Sequence, residues 1–111
     1  LPPLPPTDVT ARGGTHRIRV FWFPGGAKDE AGTIIERQAE GEDTFSEVGT
    51  VEAPESFFND ERVDLGRKYR YRVVAFARAR NKATPAGPTA WVAPEAPKAP
   101  PAAAVTPEEK R

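Results

Sequence analysis

The chain has 111 residues, enough for one domain, and its 16 basic residues are balanced by 16 acidic ones, so no net field draws it toward nucleic acid or an anionic membrane. It has no cysteine, which removes disulfides, thiol nucleophiles and thiolate metal sites. No apolar run is long enough to span a bilayer. The first residue is Leu1 and methionine is absent, so the chain is expected to be a processed product or a piece of something longer, as removal of a signal peptide would leave.

Nine of the thirteen prolines lie at the two ends. Residues 1–5 are read as a Pro-rich lead-in, extended because proline fixes φ and lacks an N–H. "LPPLPP" resembles a ligand for proline-binding modules, but a lead-in to a domain accounts for it equally. Residues 6–94 carry the patterned sequence and form the predicted domain. Residues 95–111 are rich in proline and alanine and offer little apolar surface to offset ordering entropy, so they are read as a flexible tail.

Within the domain, strand patterns follow one another without a convincing helix. "DVTARGG" opens it. "HRIRVFWF" alternates, with Ile18, Val20 and Trp22 on one side and Arg17, Arg19, Phe21 and Phe23 on the other. The turn-rich "PGGAKDEAG" leads to strand "GTIIERQAEG", then "TFSEVGTV" and a short "SFFNDERV". In "RVDLGRKYRYRVVAFARARN", period two places Tyr69, Tyr71, Val73, Ala75 and Ala77 on one face and Arg70, Arg72, Val74, Phe76 and Arg78 on the other. "TAWVA" closes the set. Seven short strands with turn signals between them predict an all-β, seven-stranded antiparallel β-sandwich, immunoglobulin-like in architecture.

The ordered signals resemble a fibronectin type III domain of the kind found in bacterial secreted or envelope proteins. "PPTDV" is similar to that family's proline-rich opening. Trp22, at the end of "IRVFW", stands where the family has its core tryptophan. "VDLGRKYRYRVVAF" resembles the family's run of leucine, turn, then Tyr-x-Tyr/Phe-x-Val-x-Ala, with Val63 at the leucine position and Leu65 at the usual proline. The resemblance implies that Tyr69 is a corner tyrosine whose hydroxyl bonds the preceding backbone, and that Trp22, Tyr69, Tyr71 and Val73 form the structural core. Thr33 replaces the tyrosine that usually opens the third strand, with Ile35 at the following valine position. "NKATPAG" holds no Arg-Gly-Asp.

The residues give little basis for catalysis. His16 is the sole histidine, and no serine has a second histidine or lysine arranged as its base. The acids of "EGED", Glu40 to Asp43, lack the spacing of a calcium loop and read as a solvated hairpin tip. No catalytic residue, metal ligand or cofactor is assigned. Seven basic residues lie between Arg67 and Lys82, interleaved with tyrosines, which invites comparison with a base-stacking platform. Strand geometry sends the tyrosines and the arginines to opposite faces, so no nucleic-acid partner is assigned. Glu36 is instead expected to face Arg70 or Arg72 across a strand pair.

The apolar residues on the outward face carry the functional expectation. Ile34, Val74, Phe76 and Trp91 point away from the core in this register, on strands that are neighbours in the resembled family. Together they predict an exposed patch, with Arg78, Arg80 and Lys82 as a basic rim. The partner is expected to be another protein or a subunit of a larger assembly, with membrane contact only through a lipid anchor outside this chain. The resemblance and composition imply a non-catalytic interaction or spacer module of an extracytoplasmic protein, in its finer form a small envelope lipoprotein subunit of a surface assembly. The alternative is an accessory module of a secreted carbohydrate-active enzyme, touching glycan through exposed aromatics.

Overall fold

A computed structural model of the chain describes residues 3–26, 28–79 and 81–97. Six strands form two three-stranded antiparallel sheets. β1 (Thr7–Gly14), β2 (Arg17–Phe23) and β5 (Phe57–Asp60) make one, in the order β1-β2-β5. β3 (Glu30–Ala39), β4 (Ser46–Glu52) and β6 (Tyr69–Ala77) make the other, in the order β4-β3-β6. The predicted β-sandwich is therefore present.

Alternation decides which face each strand buries. In β2, Ile18, Val20 and Trp22 are buried while Arg17, Arg19 and Phe23 are exposed. In β6 all five residues expected inside, Tyr69, Tyr71, Val73, Ala75 and Ala77, are buried. These two rows meet Ile35 and Ala39 of β3 between the sheets, with Val9, Ala11, Val48, Val51, Phe58 and Val63 packed around them. The indole nitrogen of Trp22 is buried without a protein acceptor, so the ring contributes volume rather than a hydrogen bond.

The corner forms as the resemblance implies. The backbone N–H of Asp64 donates to the Tyr69 hydroxyl at 2.8 Å, tying the loop after β5 to the first residue of β6. The β1–β2 hairpin closes through Thr15 and His16, because Gly14 faces Arg17. His16 is exposed and sits at φ 56°, a left-handed conformation in which histidine is enriched. Asp8 takes φ 54° where the β1–β2 register shifts between Thr7 and Thr10, as a residue in a β-bulge does.

The seventh segment departs from the sequence reading. "TAWVA" does not form a continuous ladder. Instead the stretch from Lys82 to Glu95 touches the sheets at isolated bridges: Phe76 with Lys82, Val73 with Ala86 and Tyr69 with Val92, all antiparallel, then Thr15 with Glu95, parallel. Pro85, Pro88 and Pro94 interrupt it, and each removes a ladder donor. The segment thus runs along the free edge of β6 and crosses to the end of β1. There Glu95 N donates to Gly14 O at 2.8 Å and His16 N donates to Glu95 O at 2.9 Å. Hydrogen bonding so extends to Glu95, one residue beyond Pro94. At the other end Pro3 is buried and the Leu4 backbone lies against Gly25. Most of the expected tail, residues 98–111, lies outside the described residues, as do Leu1 and Pro2.

Two measurements check this arrangement. Trp22→Ala removes a large buried ring and is expected to lower unfolding free energy in denaturant by about 3–5 kcal/mol; a loss below 1 kcal/mol would be incompatible with the register. Shortening a chain that ends at Pro97 so that it ends at Ala93 removes both Glu95 hydrogen bonds. It is expected to cost about 1–3 kcal/mol, read as a lower midpoint in the same assay.

Candidate functional site

The outer face of the β4-β3-β6 sheet carries the residues singled out from sequence. β3 presents Gly32, Ile34, Glu36 and Gln38. β6 presents Arg70, Arg72, Val74 and Phe76, in a register that sets Ile34 beside Val74, Glu36 beside Arg72 and Gln38 beside Arg70. Of the two arginines offered to Glu36, the fold selects Arg72, whose Nε donates to Glu36 Oε1 at 2.6 Å. Arg70 Nε donates to Gln38 Oε1 at 2.7 Å. Aromatic rings cover what remains of both groups. Phe45 lies 4.4 Å from the Arg72 guanidinium and 5.6 Å from that of Arg70, and Trp91 lies 4.7 Å from Arg70. Exposed cation–π contacts contribute about 0.5–1 kcal/mol each, and half-exposed ion pairs about as much. Tyr69 and Tyr71 are inside while these arginines are outside, so no alternating stack of rings and cations faces solvent on β6.

The four apolar residues do not form one patch. Val74 is only 5% exposed, which corrects the expectation that it points freely outward. It sits on β6, the last strand of its sheet, with Ile34 on one side and the bridged Lys82–Ala86 stretch along the other. Alternation turned it outward, but neighbours on both flanks cover it. Trp91 is 40% exposed but belongs to the Arg70 end of β6. Six residues separate Arg70 from Phe76, roughly 20 Å at the rise of a strand, so Trp91 does not join the others.

Ile34 and Phe76 do come together. With Glu47, Thr50 and Lys82 they line a depression of about 320 Å³. Gly32 makes this possible: a Cβ there would lie 2.9 Å from Phe76 Cζ, so the ring lies flat over bare backbone. Lys82 reaches the same depression because its bridge to Phe76 anchors it. Arg78 is exposed elsewhere, beside Lys28 and Glu30, with its N–H on Asp29 O at 3.1 Å. Partial burial raises the Glu30 carboxyl above its ordinary pKa. Arg80 lies outside the described residues.

Between the sheets lies a polar cluster that the sequence reading missed. The Asp60 carboxylate is buried and accepts three bonds: from the Tyr71 hydroxyl at 2.7 Å, from Arg37 Nη1 at 2.9 Å and from Arg62 N at 3.1 Å. Arg37 also donates to Arg62 O at 3.0 Å, and its guanidinium lies 5.1 Å from the Tyr69 ring. Burial, then the hydrogen bond and charge of Asp60, push the Tyr71 phenol far above its ordinary pKa. Burial alone would lower Arg37, but the Asp60 hydrogen bond and charge outweigh it and raise the guanidinium. The signal was present in "FFND": period two puts Asp60 on the same inward face as Phe58. Asp60 borders a surface depression lined also by Val48, Phe58, Asn59, Glu61 and Arg62, but its oxygens are taken by donors from β3, β6 and the loop after β5, so the cluster ties the sheets together. Glu42 of "EGED" is likewise structural, its carboxylate accepting Ala39 N at 3.0 Å to close the β3–β4 turn. Among the described residues no group of three or more His, Cys, Asp or Glu converges on a metal-sized site.

No family model and no curated protein matches the sequence. Solved structures do match. A run of titin domains superposes with TM-score 0.71 at 21% identity, over 82% of this chain and 32% of that one. The fn3 domain of human contactin 1 gives 0.71 at 18% identity, over 87% and 82%. A β-1,2-glucanase from Parabacteroides distasonis gives 0.69 at 19% identity, over 85% and 14%. The chain thus spans about a third of the titin structure and a seventh of the glucanase. These likenesses establish the fibronectin type III fold for residues of this chain.

The buried cluster predicts a pH response. Because Tyr71 has a raised pKa in the fold, its contribution is fully present below the ordinary tyrosine value near 10 and is lost as pH rises through it. Stability is expected to fall above about pH 10, with phenolate absorbance showing Tyr71 ionising only on unfolding. Tyr71→Phe should flatten that fall and cost about 1.5–3 kcal/mol at neutral pH. Arg37→Met, which strands the Asp60 charge, should cost about 3–5 kcal/mol.

Proposed function

We propose that the domain is a non-catalytic protein-interaction or spacer module of an extracytoplasmic protein, and that it meets its partner through the depression floored by Ile34 and Phe76. The observation that supports this reading is the depression itself. Two large apolar side chains are held half-buried on the outer face of the β4-β3-β6 sheet, with Lys82 on the border. Apolar surface removed from water there gains about 25 cal/mol per Å², before the costs of association. Lys82 gives the depression a basic edge that favours an acidic group on the partner and weakens with salt. The patch proposed from sequence thereby contracts to Ile34, Phe76 and Lys82. In the finer form of the reading the parent is a small envelope lipoprotein subunit of a surface assembly.

A second reading, an accessory module of a secreted carbohydrate-active enzyme, draws on the partly exposed Trp91 and on the likeness to part of a glucanase. Sugar stacking needs a free ring face, and Arg70 already occupies one face of Trp91. The two readings separate by position. A photo-crosslinking residue is placed at Phe76, at Trp91 or at exposed Phe23 in the full-length protein within its native cells. Protein adducts are expected at position 76 and should diminish with Lys82→Glu. Adducts at 91 but none at 76 would overturn the assignment.

A further inference from the structure

The outer face of the opposite sheet has a different character. Ile18, Val20 and Trp22 face the core, so β2 turns Arg17, Arg19, Phe21 and Phe23 outward. β1 adds Arg12, exposed and directly opposite Arg19 in the register. β5 adds Phe57 and Asn59, opposite Phe21 and Arg19. Like charges directly opposite one another on an antiparallel pair are destabilising. None of Arg12, Arg17 and Arg19 forms an ion pair among the described residues. Asp8 sits at the bulge, at the other end of β1. The arginines of β6, by contrast, have Glu36 and Gln38.

These three arginines, with Gly13 and Gly14, line a pocket of about 150 Å³, walled mostly by carbon, with their charged heads at its border. Gly14 has no side chain to fill it, and Arg17 lies over Gly14, where a Cβ would stand 3.6 Å from its Cγ and Nε. Two of the cations are steadied by rings: Arg19 lies 4.4 Å from Phe57 and Arg12 lies 5.9 Å from Phe21. A guanidinium held on an aromatic face keeps its N–H fork free for a carboxylate and loses less freedom on binding it.

We infer that this face is a second binding surface, for an extended acidic protein segment whose carboxylates seat between Arg12, Arg17 and Arg19. Spacing favours a peptide. Arg17 and Arg19 are two residues apart on a strand, roughly 7 Å, and an extended chain repeats its same-side residues at that same interval. Alternate acids on such a segment can therefore meet Arg17 and Arg19 in turn, and Arg12 completes a bidentate grip on the second. The bound carboxylates also remove the repulsion between Arg12 and Arg19 that the free domain tolerates.

The test uses a synthetic peptide of alternating Glu and Thr, titrated into the domain at low and high salt and followed by amide chemical shifts and by melting midpoint. Binding at low salt, weakened at high salt, is expected, with shifts centred on β1 and β2 and a midpoint that rises with peptide. Arg12→Gln and Arg19→Gln should each weaken binding by about fivefold or more, while leaving the midpoint of the free domain unchanged or higher. Lys82→Gln and Phe76→Ser, on the other sheet, should leave affinity unchanged. Equal binding of a Gln-Thr peptide, equal loss with Lys82→Gln, or no binding at all would overturn the inference. So would tighter binding of dextran sulfate or single-stranded DNA than of the acidic peptide, because the spacing argument would then have chosen the wrong polyanion.

Discussion

The Asp60 carboxylate is the point on which the two sheets depend. It ends β5, a strand of four residues, yet it accepts from Tyr71 on β6 and Arg37 on β3. A buried carboxylate is costly unless its lone pairs are met. Here three donors meet them, and those donors come from elements far apart in sequence. The cluster works as a key for assembly: only the native pairing of sheets brings the phenol, the guanidinium and the Arg62 amide to one charge. The apolar rows on β2 and β6 supply the larger share of the driving force, but they tolerate sliding more readily than a satisfied buried charge does.

Much of this was legible where one physical rule acted alone. In β6, period two and apolar content agree, and the alternation placed Tyr69, Tyr71 and Val73 correctly. Trp22 is likewise where its strand pattern sets it. The reading fell short where two rules compete. Val74 faces outward by alternation, but Ile34 and the closing segment flank it on both sides, and burial follows from lateral cover as well as from facing. Trp91 lies in a segment broken by prolines, where bridges replace a ladder and period two no longer carries from one end to the other. Arg37 faces inward although charge favours water, because Asp60 and Tyr71 wait for it. The opposition of Arg12 and Arg19 depends on the hairpin closing through Thr15 and His16, a register that composition cannot give.

The two outer faces show how a chain with no net charge can still be locally polar. On the β4-β3-β6 face the cations are absorbed: Arg72 by Glu36, Arg70 by Gln38, both beneath rings. What that face leaves partly open is the depression between Ile34, Phe76 and Lys82. On the β1-β2-β5 face Arg12, Arg17 and Arg19 form no ion pair among the described residues, and rings lie beside Arg12 and Arg19. The acids that balance the total charge fall mostly between Asp29 and Asp64, largely on β3, β4 and the turns and loops around them, with Asp60 ending β5. Net charge therefore says little about either surface, and the distribution by face says a good deal.

The crossing of the last segment has a mechanical consequence. The chain enters β1 at Thr7, beside Phe23, and the final segment reaches Glu95 beside Gly14, so entry and exit lie at opposite ends of a strand roughly 25 Å long. Tension applied between them runs along the strand axes. The bonds of Glu95 to Gly14 and His16, made in a parallel bridge, lie across that direction and are loaded in shear together, rather than peeled open one after another. Glu95 acts as a clasp. Copies of such a unit threaded end to end would transmit a pull through β1 and the closing segment while the outer faces of both sheets kept their shape.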